Sequence, residues 1–325
     1  MSVAPQTSRR GIGARFLEDA FWFRQRGAAL SYAILAAMLV VMAIIVPQTF
    51  YSATNLSNLA GQLAPLFLVS LGQTFVLLAA GFDLSVGAVI SLTSAILTLD
   101  VADPVKIPLA FAAAGLVGVA NGWGCVYLRV HPIIMTLATS SIVQGIALLL
   151  LPTPGGIAPS ILVAMASGTL LGIPVGFYWI ALVAAAAIWL VHGSVYGVRL
   201  YATGQNAQAA WMSGVRARSI RVSTYVISAL MAALAGAYLT GRLASGDPNV
   251  GNALGLDSVL GAVLGGTVLS GGVGGPIGTI AGVLIIGILN NGLNLAGVSP
   301  YYQFIVKGSM IVLAVSLFRR KEAGL

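Results

Sequence analysis

Three stretches of this chain, Gly27 to Phe82, Val130 to Val198 and Ser258 to Val306, contain no Asp, Glu, Lys or Arg. Soluble domains carry roughly a quarter charged residues, so intervals this long without any do not belong to a water-facing surface. They are long enough to cross a bilayer repeatedly, because about 20 apolar helical residues span its roughly 30 Å hydrocarbon core. The whole chain agrees, with 7% charged and 58% hydrophobic residues among 325. Its apolar runs are continuous and do not alternate, which excludes a transmembrane β-barrel and leaves an all-α polytopic membrane protein. The 40 glycines then read as small residues that let helices approach closely.

The charges that remain report topology. The net charge of +8 sits in loops and ends, a positive-inside signal and not a nucleic-acid surface. Residues 1–26 carry Arg9, Arg10, Arg15, Arg24 and Arg26, have no signal-peptide cleavage pattern, and form a cytoplasmic segment. Phe16, Ala20 and Phe23 share a helical face beside Phe21 and Trp22, so an interfacial elbow helix is expected over Arg15 to Arg26. A single membrane domain covers 27–318. It is interrupted by a polar cytoplasmic loop, 192–222, with Arg199, Arg216, Arg218 and Arg221 and no acid. The tail 319–325 holds Arg319, Arg320 and Lys321 and is cytoplasmic too. Both ends inside require an even number of spans, and about ten fit every basic loop. Cys125 has no partner for a disulfide, and His131 and His192 lie without other ligands at metal spacing, so no metal, cofactor or catalytic group is expected.

Between Ala64 and Leu99 there is one charge in 36 residues, Asp83, within GFDLSVG. One helix of that length would far exceed the hydrocarbon core, so the segment breaks, and Gly81 and Gly87 mark the place. Asp83 has two compatible readings: a functional ionisable group in the membrane, or the cap of the helix that follows.

Other polar groups lie on apolar spans. Asn121 is inside the fourth span. Thr136, Ser140 and Gln144 recur at helical spacing on the fifth, with Thr139 and Ser141 beside them. Such a stripe faces either another helix or a wet cavity, and hydroxyls and amides without charge suit a sugar. Asn290, Asn291 and Asn294 bring three amides to one membrane boundary. Arg242 is expected to pair with Asp247 or Asp257 at the outer mouth, and Lys307, alone in its span, to snorkel or pair. The glycine-dense run Gly265 to Gly275 makes a tight re-entry. It is not a dinucleotide loop, since no strand precedes it. Within the basic loop, Asn206 caps a short helix stopped at Gly214.

The segment GQTFVLLAAGFDLSVGAVISLTS resembles the signature of permease subunits of ABC-type sugar importers of the ribose, xylose and autoinducer-2 kind. Their usual pattern is G-Q-T and then G-I-D-L-S-V-G, with Phe82 here in place of Ile. Pro132 to Thr139 resembles P-F-I-V-T-L-A-T, with Ile133 for Phe. Gly204, Asn206, Ala209, Ala210, Ser213 and Gly214 match G-x-N-x-x-A-A-x-x-S-G-I, which ends here in Val215. The run LGGT and the following glycines match a further motif, with Gly275 in place of Ser. The resemblance extends from about Asn55 to Phe318. It implies the type II ABC importer permease fold, about ten spans in a bacterial inner membrane, and a substrate pathway that would include Asp83, Asn121, Thr136, Thr139, Ser140, Gln144, Asn290, Asn291 and Asn294. It also implies that Arg199 and the Gly204 to Gly214 helix couple to cytosolic ABC ATPase subunits. A second permease copy or paralogue, a periplasmic sugar-binding protein and membrane lipid complete the implied partners. The chain has no P-loop of its own, so ATP hydrolysis is expected in a partner and no enzyme activity here. The competing reading is an ion-coupled secondary transporter of a small polar solute, since broken spans with a mid-run acid serve ion coupling as well.

Overall fold

The computed structural model describes residues 10–317, so Arg9, Arg319, Arg320 and Lys321 lie outside the described residues, as do the side chains of the expected aromatic face at Phe16, Ala20 and Phe23. Helix α1 (Arg10–Ile45) is continuous over 36 residues, so Arg15 to Arg26 runs straight into the first span and is not a separate element. A one-turn helix α2 (Pro47–Phe50) leads to α3 (Ala53–Leu78), an extended break at 79–85, and α4 (Val86–Leu97). Then come α5 (Asp103–Val126), α6 (Pro132–Leu150), α7 (Ser160–Ser167) and the two-residue strands β1 (Thr169–Leu170) and β2 (Ile173–Pro174), which pair antiparallel. The chain continues as α8 (Val175–His192), α9 (Val195–Gln205), α10 (Ala207–Met212), α11 (Ala217–Leu243), α12 (Leu254–Leu264), α13 (Pro276–Leu295) and α14 (Pro300–Leu317).

Among the described residues seven helices are long and apolar enough to cross a membrane: α1 from Gly27 onward, α3, α5, α6, α8, α11 and α13. This is a multi-pass membrane protein. Of the other three expected spans, α14 carries Lys307, and α4 and α12 have only 12 and 11 residues. At 1.5 Å per residue each covers about half the hydrocarbon core.

The two short helices start side by side. Gly87 and Gly251 stand backbone to backbone, so that a Cβ on Gly251 would fall 1.9 Å from the Gly87 carbonyl oxygen. The Gly251 N–H donates to Ser91 Oγ at 3.2 Å. From this point α4 runs to Thr98, which packs against Gly156 and Gly246, whereas α12 runs the opposite way to Gly265, which packs against Gly278. The two half-helices are thus laid start to start. Only glycine permits the approach, and we expect Gly251→Ala to cost about 1–3 kcal/mol by overpacking. Thermal unfolding of the purified protein measures this, and an unchanged melting temperature would show that the two starts part freely.

The core is built on α3 and α4. Every residue of α4 and every residue of α3 from Leu63 to Leu78 is buried, wrapped by α5, α11, α12 and α13. The break that joins them is thus surrounded by protein, which is the condition under which a membrane segment tolerates irregular backbone and a carboxylate.

Candidate functional site

Asp83 lies in the extended break, fully buried, with the chain turning at Ala80 in the left-handed region (φ 58°) two residues before Phe82. Its Oδ1 accepts from the backbone N–H of Ser85 at 2.9 Å and from the Ser85 hydroxyl at 2.6 Å. Since α4 begins at Val86, the carboxylate closes a turn just ahead of the helix and does not cap the first-turn N–H groups themselves. The Ser85 hydroxyl also accepts from Asn121 Nδ2 at 2.8 Å, which ties the break to α5. Thr136 Oγ1 on α6 accepts from the Leu84 N–H at 3.1 Å and reaches the Phe82 carbonyl at 3.4 Å. On the other side Gln73 of α3, in the amide orientation that satisfies both groups, donates to the Asp83 carbonyl at 3.1 Å and accepts from its N–H at 3.3 Å. The freed backbone of a broken helix is thus paired by side chains from α3 and α6, while Asn121 of α5 holds the Ser85 side chain, as a low-dielectric interior demands.

The break leads directly to a second convergence. The Leu78 carbonyl, the last of α3, accepts from the Gly272 N–H at 3.0 Å. Gly204 of α9 lies so close that a Cβ there would fall 1.8 Å from the Leu78 oxygen. Tyr201 donates to the Gly274 carbonyl at 2.7 Å, and Gln205 Nε2 reaches the Gly272 carbonyl at 3.4 Å. Beyond it, Asn206 Oδ1 accepts from the N–H groups of Gln208 and Ala209, each at 3.0 Å, and so caps α10. The helix ends at Ser213, with Gly214 at φ 81°. Trp211 and Met212 project outward, 70% and 76% exposed, while Ala210 is buried.

A family model described as "Branched-chain amino acid transport system / permease component" matches residues 55–315. The chain belongs to this permease family. The permease is 41% identical to the ribose import permease protein of Bacillus subtilis over 296 residues, covering 88% of this chain and 91% of that one. The ribose import permease protein of Escherichia coli K12 is 35% identical, with 97% of this chain and all of that one covered. The D-allose transport system permease protein of the same strain is 32% identical, with 89% and 90% covered. No solved structure matches the chain.

In the permease, Asp83, Asn121 and Thr136 come together in the break. Thr139 and Ser140 follow on α6, both half-buried, and the Thr139 hydroxyl donates to its own helix at Met135. Gln144 is drawn to the far end of α6, where its Nε2 donates to the Pro248 carbonyl at 2.7 Å. The three C-terminal amides do not reach this site. Asn291 exchanges hydrogen bonds with Asn55 at 2.9 and 3.0 Å, joining α13 to the start of α3. Asn294 accepts from Gln303, and Asn290 Oδ1 is buried without a partner. Arg199 is exposed on α9, five residues ahead of Gly204. Arg242 pairs with neither Asp247 nor Asp257 but packs against Gly61, because Asp257 is taken by Lys307 at 2.7 Å. Gln73 and Ser85 were missed as site residues, although both stand in the G-Q-T and G-F-D-L-S-V-G motifs; a polar residue beside a helix break is the signal.

Proposed function

We propose that the permease is the membrane subunit of an ATP-driven ABC importer of a monosaccharide or a related small carbohydrate. It sits in a bacterial inner membrane with both termini cytoplasmic and about ten passes, α4 and α12 each completed by extended chain, in the manner of type II importers. The segment Arg15 to Arg26 lies at the cytoplasmic interface. Two permease chains, identical or paralogous, enclose the pathway, a periplasmic binding protein delivers the sugar, and cytosolic ATPase subunits hydrolyse ATP. The permease itself catalyses no reaction.

The observation that carries this reading is the junction of α9 and α10 with the broken helix. A movement of the exposed α10 has no soft linker to dissipate in: Gly204 abuts the Leu78 carbonyl, and Leu78 is one residue from the break that holds Asp83. A push by a docked ATPase on Trp211 and Met212 would therefore reach the polar break through packed backbone. The uncharged character of the side chains around that break, amides and hydroxyls from Gln73, Asn121 and Thr136, together with the ribose and allose relatives, supports a neutral polyhydroxy solute.

Docking through α10 is tested with Met212→Glu, a change at an exposed position that leaves the fold alone. In proteoliposomes holding permease, ATPase and binding protein, sugar-stimulated ATP hydrolysis is expected to fall about tenfold or more, equivalent to a loss of about 1.4 kcal/mol or more in the interface. Stimulation at the level of the unaltered protein would refute docking at this helix.

A further inference from the structure

A cavity of about 1040 Å³ opens at the end of the bundle that carries α10, between the 79–81 part of the break, the turn joining α5 to α6, α10 and the start of α11. Its wall holds Arg129, Arg216, Arg218 and Arg221, with His131, and no Asp or Glu. Among the described residues the only ion pairs are Lys106 with Asp103 and Lys307 with Asp257, so all four guanidinium groups lack a carboxylate. Arg218 lies over the Tyr127 ring at 5.9 Å, and Arg221 Nε is buried without a hydrogen-bond partner. Two helices also present their starts to the same space. The first i to i−4 bond of α11 is Ile220 N–H to Arg216 O at 3.1 Å, which leaves the N–H groups of Arg218 and Ser219 unmatched within the helix. In α6 the first such bond is Met135 N–H to His131 O at 3.0 Å, and neither His131 nor Arg216 forms a side-chain cap. Tyr225, 2% exposed, also lines the cavity.

Unpaired guanidinium forks and two helix N-termini are donors without an acceptor, and the ligand that satisfies such a set is a compact anion with several oxygens. We propose that this cavity binds a phosphate group, carried either by an anionic lipid headgroup or by a soluble phosphate ester. A neutral sugar would leave the arginines unmatched, and a single protein carboxylate offers two oxygens to a wall built for more. Basic pockets at the end of a transmembrane bundle are a known chemistry for headgroup capture. The cavity borders the break and α10, but its test reads anion binding alone and requires neither sugar transport nor an ATPase.

Two arms distinguish the sources. Glycerol 1-phosphate is titrated calorimetrically into detergent-purified permease. Separately, native mass spectrometry follows lipid retained by permease released from nanodiscs of phosphatidylcholine and phosphatidylglycerol. Saturable binding of the ester, preferential retention of phosphatidylglycerol, or both, is expected, and the pattern names the source. The double substitution of two exposed residues, Arg216→Gln with Arg218→Gln, should weaken binding about tenfold or more, equivalent to 1.4 kcal/mol or more. Arg221→Gln provides a second variant should the double one fail to fold. Arg199→Gln removes an exposed arginine outside the cavity and should leave binding unchanged. Absence of binding in both arms, an equal loss with Arg199→Gln, or an effect of the cavity arginines confined to recruitment of an ATPase would overturn the assignment.

Discussion

Lys307→Met and Asp257→Leu are each expected to destabilise the permease by about 3–5 kcal/mol, and the two together to restore most of the loss. Lys307 Nζ stands 2.7 Å from Asp257 Oδ2, with the side chains only 16% and 13% exposed. Taking a charge out of water costs several kcal/mol, and here each charge offsets the other. Removing one partner leaves the second buried and alone, whereas replacing both with apolar groups of similar volume removes the cost along with the attraction. The pair also fastens α14 to the first turn of α12, a short helix whose start is otherwise held by glycine contacts. Melting temperatures of the two single variants and the double variant in detergent decide the matter. Single variants as stable as the unaltered protein would mean that water or lipid headgroups reach these charges.

Asp83→Asn is expected to retain folded protein and substantial ATP-dependent uptake, and Asp83→Leu to lose both. The Oδ1 atom accepts two hydrogen bonds from Ser85, and an asparagine carbonyl oxygen can accept the same two. Leucine cannot, and it would strand the buried Ser85 N–H together with the hydroxyl that holds Asn121. An unsatisfied buried donor costs about 1–3 kcal/mol, and two groups are affected. An ion relay makes the opposite forecast, because neither asparagine nor leucine ionises. Uptake in proteoliposomes with a purified ATPase separates the two: complete loss in a normally assembled Asp83→Asn complex, or uptake driven by a proton gradient without ATP, would favour the ion-coupled transporter.

Much of this architecture was legible residue by residue. The charge-free intervals announced a polytopic helical membrane protein, and GFDLSVG, residues 81–87, lies at the break between α3, which ends at Leu78, and α4, which begins at Val86. Asn206 capped its helix as expected, since cap geometry is set by neighbours two and three residues away. The basic loop 192–222 was harder to read. It is polar, yet α9, α10 and the first turns of α11 fill most of it, because helices packed against the bundle end need only one apolar face.

Contacts that join distant parts of the chain escaped a linear reading. Lys307 could pair only with what the fold brought beside it, and Asp257 is 50 residues away. Asn291 found Asn55 across 236 residues and became a clasp between helices. The meeting of the two short helices escaped for another reason: length and hydropathy show that α4 and α12 are apolar, but that they start together at Gly87 and Gly251 depends on two backbones meeting in space. Patterning along the chain settled class and the place of the break, since these follow from burial of apolar groups and from local turn chemistry. Tertiary packing alone decided which polar groups share a site, because in a low-dielectric interior each buried donor and charge is satisfied by whichever partner the packed helices deliver.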